Sequence, residues 1–136
     1  MVPIDRKELV ILMEAGYIYL GLGRFDEASD LFEGVAALDS KSEVPWVALG
    51  TVRFATKKFQ QAVQMYQRAL KIKSESPYAR VYLGEALFFQ GKKEEAIREL
   101  EKASLLDPSG AAGDFAKTLL KSIRDGFTPP GSVKSH

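Results

Sequence analysis

WVALGTVRFATKKFQQAVQMYQRAL, residues 46–70, decides how this chain folds. Small residues stand at Gly50, Ala62 and Ala69, and large aromatic ones at Trp46 and Tyr66. A shift of 34 residues lays Gly16 and Gly84 on Gly50, and Ala28 and Ala96 on Ala62. The same shift aligns Phe32, Tyr66 and Leu100, then Val35, Ala69 and Ala103, then Leu38, Ile72 and Leu106. Phe25 falls on Phe59, and Lys93 breaks that column. A period in this range marks a stacked array, because one unit cannot bury its apolar face alone. Function is therefore expected on a surface that several units share. Gly and Ala at fixed intervals suit helix crossings, where a larger side chain would hold two backbones apart and the aromatic one turn later fills the gap.

These residues resemble the tetratricopeptide repeat family, whose unit is a 34-residue helix-turn-helix. The pattern is fullest in Trp46, Leu49, Gly50, Ala62, Tyr66 and Ala69. Gly16, Tyr19, Ala28 and Phe32 carry it in the first unit, and Leu83, Gly84, Ala96, Ala103 and Pro108 in the third. Some columns degenerate: Leu12 and Arg80 stand where Trp46 sits, Arg53 and Leu87 where Tyr19 sits, and Ser40 and Ser74 where Pro108 sits. The resemblance implies an all-α fold, a right-handed superhelical solenoid of three repeats at 9–42, 43–76 and 77–110. Residues 1–8 are a lead-in to the first helix. Phe115, Leu119, Leu120 and Ile123 recur at helical intervals and predict a capping helix over 111–125. Residues 126–136 are rich in Gly and Pro and are expected to form a flexible tail, with docking through Phe127 and the Pro pair as the other reading.

Local signals agree with helices. Residues 94–103 alternate Ala96, Ile97, Leu100 and Ala103 with charges, as on an amphipathic helix. Ser76 before Pro77 predicts an N-cap with Pro in the first turn. Asp5 with Glu8 predicts a capping box.

Composition narrows the function. Of 136 residues, 46% are hydrophobic, which suits one globular domain, and the net charge of +1 offers no field for nucleic acid or an acidic membrane. No apolar run approaches the ~18 residues of a membrane span, and Asp5, Arg6, Lys7 and Glu8 interrupt any signal-like start. The chain has no cysteine, which removes disulfides and thiolate chemistry and fits the cytoplasm. The sole histidine is His136, too far out on the tail to be oriented by a second group. Gly21-Leu22-Gly23-Arg24 follows a helix and lacks the remainder of a phosphate-loop fingerprint. Asp26-Glu27 and Glu94-Glu95 open helices, where acidic side chains complement the helix dipole. No enzyme activity, cofactor or metal is expected.

In tetratricopeptide arrays the first helix of each repeat lines a concave groove. The resemblance places Val10, Met13, Tyr17 and Leu20 there from the first repeat, and Val44, Val47, Thr51 and Phe54 from the second. The third adds Tyr78, Val81, Glu85 and Phe88, with Phe89 nearby. Members that clamp a chaperone's terminal carboxylate use Lys, Arg and Asn at positions held here by Met13, Tyr17, Val47 and Thr51. An apolar stripe instead suits a peptide or helix with two or three bulky anchors, each contributing ~1.5–3 kcal/mol before the cost of ordering. Burial of the stripe by the C-terminal helix or by self-association is the competing reading.

Gly23-Arg24-Phe25-Asp26-Glu27-Ala28 through Phe32, Leu38-Asp39, Ala48-Leu49-Gly50 and Asp114-Phe115 through Leu119 also resemble the small three-repeat chaperones of bacterial type III secretion. That resemblance implies a cytosolic protein whose Val47, Phe54, Tyr78 and Phe88 hold apolar anchors of a translocator or needle subunit. Translocator chaperones carry an extra helix ahead of the first repeat, where this chain has only Met1 to Glu8, so a monomer or weak dimer is expected. The alternative is a scaffold or adaptor that assembles a complex through its convex face or with itself.

Overall fold

The structure, a computed structural model, describes residues 5–130. Its elements are α1 (Arg6–Gly21), α2 (Phe25–Leu38), α3 (Val44–Ala55), α4 (Phe59–Ile72), α5 (Pro77–Phe89), α6 (Lys93–Leu106) and α7 (Ala111–Arg124). No strand occurs among the described residues, and the chain is an all-α helical solenoid.

The two recurring columns of the sequence meet in space. A Cβ added at Gly16 would lie 2.3 Å from the Phe32 ring, one at Gly50 2.3 Å from the Tyr66 ring, and one at Gly84 2.8 Å from Leu100. Each pair joins the first helix of a repeat to its second, so glycine is required by close approach and the large residue by the space that approach leaves. Ala28, Ala62 and Ala96 are fully buried at the same crossings.

The turns within repeats share one geometry. Gly23 (φ +75°), Lys57 (φ +63°) and Gly91 (φ +85°) occupy equivalent left-handed positions, and only Lys57 carries a Cβ there. Caps follow the sequence in part. Ser76 accepts from the Ala79 N–H at 3.2 Å, whereas Asp5 caps the Lys7 N–H at 3.1 Å and leaves the Glu8 N–H to its own backbone carbonyl.

Stacking order gives the curvature. Every helix packs on the next, and α1 also touches α3, α3 touches α5, and α5 touches α7. Among the described residues no such contact joins α2 to α4 or α4 to α6. The odd helices are therefore crowded on the inner side of the arc and the even ones spread on the outer side. Two apolar clusters fill the stack: Phe32, Leu49 and Val52 centre the N-terminal one, and Tyr66, Val81, Leu100 and Ile123 the larger C-terminal one. Trp46 packs against both. Asp107 sets α7 in place by accepting from the Gly113 N–H at 3.3 Å, in a turn so tight that a Cβ at Gly113 would lie 1.7 Å from the Asp107 carbonyl oxygen.

Candidate functional site: a groove on the inner helices

Tyr17 of α1, Glu43, Val44 and Val47 at the start of α3, and Tyr78 and Tyr82 of α5 line one cleft of about 370 Å³. A second hollow of about 250 Å³ adjoins it, with Leu9, Val10, Met13 and again Tyr17 and Val44 in its wall. The shared residues make one groove across the inner helices. Tyr17, Val44 and Tyr78 each keep close to half of their surface exposed, at 46%, 45% and 48%. A side chain of this size that the fold does not bury is unusual in a row of three.

The remaining positions named from the sequence divide. Met13 and Leu20 are half-buried against the N-terminal cluster. Thr51 is half-buried behind Val47, donating its hydroxyl to the Val47 carbonyl at 3.1 Å. Phe54 is tied into an aromatic knot, its ring centroid 5.2 Å from Phe59 and 5.0 Å from Phe89. Val81 and Phe88 are core residues, 0% and 5% exposed, and do not line the groove. The ruler sets Val81 on Val47, which is itself 9% exposed and in the same core cluster, so this column serves packing in both later repeats. Val81 and Phe88 belong to the core that α7 completes, and Tyr82 and Phe89, one residue on, are only half-buried. Tyr82 was legible as the residue one helical turn after Tyr78; its ring stands 6.2 Å from that of Tyr78 and 6.2 Å from Phe115. Glu43 precedes α3 and carried no periodic signal.

The cleft between Tyr17, Val44 and Tyr78 is acidic and phenolic, and the adjoining hollow has Arg6, Glu14 and Asp39 in its wall. No basic side chain lines the Tyr17, Val44 and Tyr78 cleft. Behind it Tyr66 is 1% exposed. Burial pushes the Tyr17, Tyr66 and Tyr82 phenols up, so all three stay protonated donors. Burial likewise raises the Glu85 carboxyl to about 7, and the phenols of Tyr66 and Tyr82 feel its charge.

Elsewhere the first turns of α2 and α6 hold Asp26, Glu27, Glu94 and Glu95, all at exposed or half-exposed positions as the dipole reading requires. The outer face carries a cleft of about 930 Å³ whose wall includes Trp46, Met65 and Arg68, with the Arg68 guanidinium 4.0 Å above the Trp46 ring. The expected free tail is corrected over residues 126–130: the Phe127 ring lies 6.0 Å from Phe88, its N–H donates to the Ser122 carbonyl at 2.9 Å, and Pro129 is buried. The ring contact with Phe88 and the hydrogen bond to the end of α7 hold this segment down. The rest of the tail, with His136, and the lead-in residues Met1 to Ile4 lie outside the described residues. Among the described residues no group of three or more His, Cys, Asp or Glu could hold a metal ion, and no helix is long and apolar enough to cross a membrane.

Comparison with known proteins agrees with this architecture. Tetratricopeptide repeat profiles match residues 53–122 and 10–42, the first covering more than half of the chain. The chain belongs to the tetratricopeptide repeat family. No curated protein sequence matches it. Among solved structures it is similar to the first tetratricopeptide module of Spaghetti (RPAP3) bound to the HSP90 peptide SRMEEVD, with 26% identity, a TM-score of 0.77, and 92% of this chain and 97% of that one covered. It is also similar to the type III secretion translocator chaperone SycD of Yersinia enterocolitica (20% identity, TM-score 0.80, covering 88% and 92%). PcrH of Pseudomonas aeruginosa, in complex with the chaperone binding region of PopD, is a third (20% identity, TM-score 0.78, covering 90% and 95%). At 20% identity the last two likenesses concern the fold.

Proposed function

We propose that this protein is a peptide-binding interaction module that holds an apolar segment of a protein partner in its inner groove, as a chaperone of an aggregation-prone subunit. The carrying observation is the row of half-exposed Tyr17, Val44 and Tyr78 in a cleft without a basic side chain. The similar module bound to SRMEEVD holds an acidic peptide. Here Glu43 in the cleft wall would repel a ligand rich in carboxylates, and nothing at Met13, Tyr17, Val47 or Thr51 offers a cation to a terminal carboxylate. An apolar segment avoids both penalties. SycD and PcrH, solved with a peptide of the translocator YopD and with the chaperone binding region of PopD, support a client of this kind. The finer reading is a cytosolic chaperone of a type III secretion translocator or needle subunit, sequestering an apolar surface until export.

The test compares a peptide carrying three leucine anchors with a peptide ending in Glu-Glu-Val-Asp by fluorescence anisotropy. The apolar peptide is expected to bind near micromolar, and Val44→Asp, at an exposed position, to weaken it by about tenfold or more. Equal or tighter binding of the acidic peptide refutes the groove reading. For the finer reading, co-expression with a translocator or needle subunit should keep that subunit soluble with the wild type and not with Val44→Asp. The outer cleft with Trp46 and Arg68 favours the scaffold alternative; a partner lost on Trp46→Ala but kept by Val44→Asp would move function there.

A further inference from the structure

Glu85 is the side chain that an apolar groove least explains. It sits on α5 beyond Tyr82, half-buried, and makes no hydrogen bond or ion pair among the described residues. A carboxylate taken out of water without a partner is costly, and a nonpolar residue would fill the same place at no such cost. The groups that feel its charge are the phenols of Tyr66 from α4 and Tyr82 from α5. Tyr17 from α1 and Tyr78 complete the titratable ring through Tyr82, and no cation enters the set. Tyr17 and Tyr82 present ring surface to the cleft itself, and Glu43 adds a second carboxylate to its wall. Ring faces beside an unpaired acid form a receptor for a cation on a flexible apolar stem.

We propose that the groove's occupant carries a lysine or arginine between its apolar anchors, with the stem along the rings of Tyr17 and Tyr82 and the cationic head against Glu85. This inference rests on the groove reading and adds the chemistry of one partner residue. The bound cation would hold Glu85 ionised, so that binding near neutral pH expels the part of a proton, about half, that burial keeps on it in the free protein.

The probes are two leucine-anchored peptides that differ only at a central residue, lysine in one and norleucine in the other. Titration calorimetry at about pH 7, in two buffers of different ionisation enthalpy, measures affinity and proton release together. With the wild type the lysine peptide is expected to bind about tenfold tighter and to release about half a proton that the norleucine peptide does not. Glu85→Gln, which removes a half-buried, unpaired charge and should fold, is expected to bind the two peptides alike and to release no proton with either. If both peptides bind the wild type equally and without proton release, the cation site is overturned and the apolar groove stands. If neither binds, the groove reading falls and the cation site with it.

Discussion

Substituting Gly50 by alanine should destabilise this protein, although alanine is the better helix former. Gly50 lies inside α3, where replacement of glycine by alanine ordinarily gains ~1 kcal/mol. The new methyl would lie 2.3 Å from Cε1 and 2.6 Å from Cδ1 of Tyr66. Those atoms belong to a rigid ring that is 1% exposed, with the Tyr82 ring 5.9 Å away, so the ring cannot swing into solvent. Overpacking of this kind costs ~1–3 kcal/mol, and at so short a separation helix α3 or α4 must shift as well. The net expectation is a loss of ~1–2 kcal/mol. Gly34 is the internal control: it is mid-helix in α2, exposed, and its Cβ would meet nothing within 4 Å. Gly34→Ala should therefore gain ~0.5–1 kcal/mol. Urea denaturation followed by circular dichroism reads both, and Gly50→Ala combined with Tyr66→Ala should lose less than the two singles added. A Gly50→Ala protein as stable as Gly34→Ala would refute the crossing argument.

Three further outcomes follow from other sites. Lys57→Gly should raise stability by up to ~1 kcal/mol in the same assay, because Lys57 alone holds a side chain at a left-handed turn where Gly23 and Gly91 stand in the other repeats; a loss would mean that the turn is not strained. Glu85 has a folded-state pKa of about 7 against its ordinary 4.5, so its contribution is fully present below the lower value and is lost as pH rises through the upper one. At ~1.4 kcal/mol per tenfold in proton affinity, and allowing for the solvent that still reaches the carboxyl, Glu85→Gln should gain ~1–3 kcal/mol over wild type between about pH 4 and about pH 8; a pH-independent difference contradicts the burial. Arg80 donates to Glu99 at 2.9 Å and to the Ser74 carbonyl at 3.0 Å, both acidic and basic side chains being largely covered, so Arg80→Ala should lose ~1–2 kcal/mol, and a cycle with Glu99→Ala should show coupling.

The columns that the sequence repeats are those in which one repeat supplies both partners. Gly50 needs only Tyr66, and the pair recurs as Gly16 with Phe32 and Gly84 with Leu100, so spacing alone exposes it. The degenerate columns are coupled substitutions. Trp46 lies under Arg68 and beside Met65; one period on stand Arg80, Lys102 and Glu99, and Glu99 bridges the two cations at 2.9 and 3.4 Å. Arginine replaces tryptophan where the neighbour is acidic rather than apolar. What the period hides is whatever lies outside it. The seating of Phe127 on Phe88 follows the last helix of the stack, so no earlier repeat announces it.

Burial separates the residues that build the arc from those the arc merely displays. Phe54, Val81 and Phe88 are spent on the aromatic knot and on the core beneath α7, so polar substitutions there would report on folding. Val44 and Tyr78 lie at the starts of α3 and α5, where they keep 45% and 48% of their surface in water. Burying that apolar surface would gain free energy that the folded chain does not collect, and a partner's apolar segment would collect it. Val44→Thr with Tyr78→Ser should then change stability by less than ~1 kcal/mol while weakening the leucine-anchored peptide by about tenfold or more. Urea denaturation and anisotropy on the same preparation separate the two effects. If stability falls by several kcal/mol, these side chains belong to the core and the groove is narrower than the inner helices describe; if peptide affinity holds, the apolar row serves another surface.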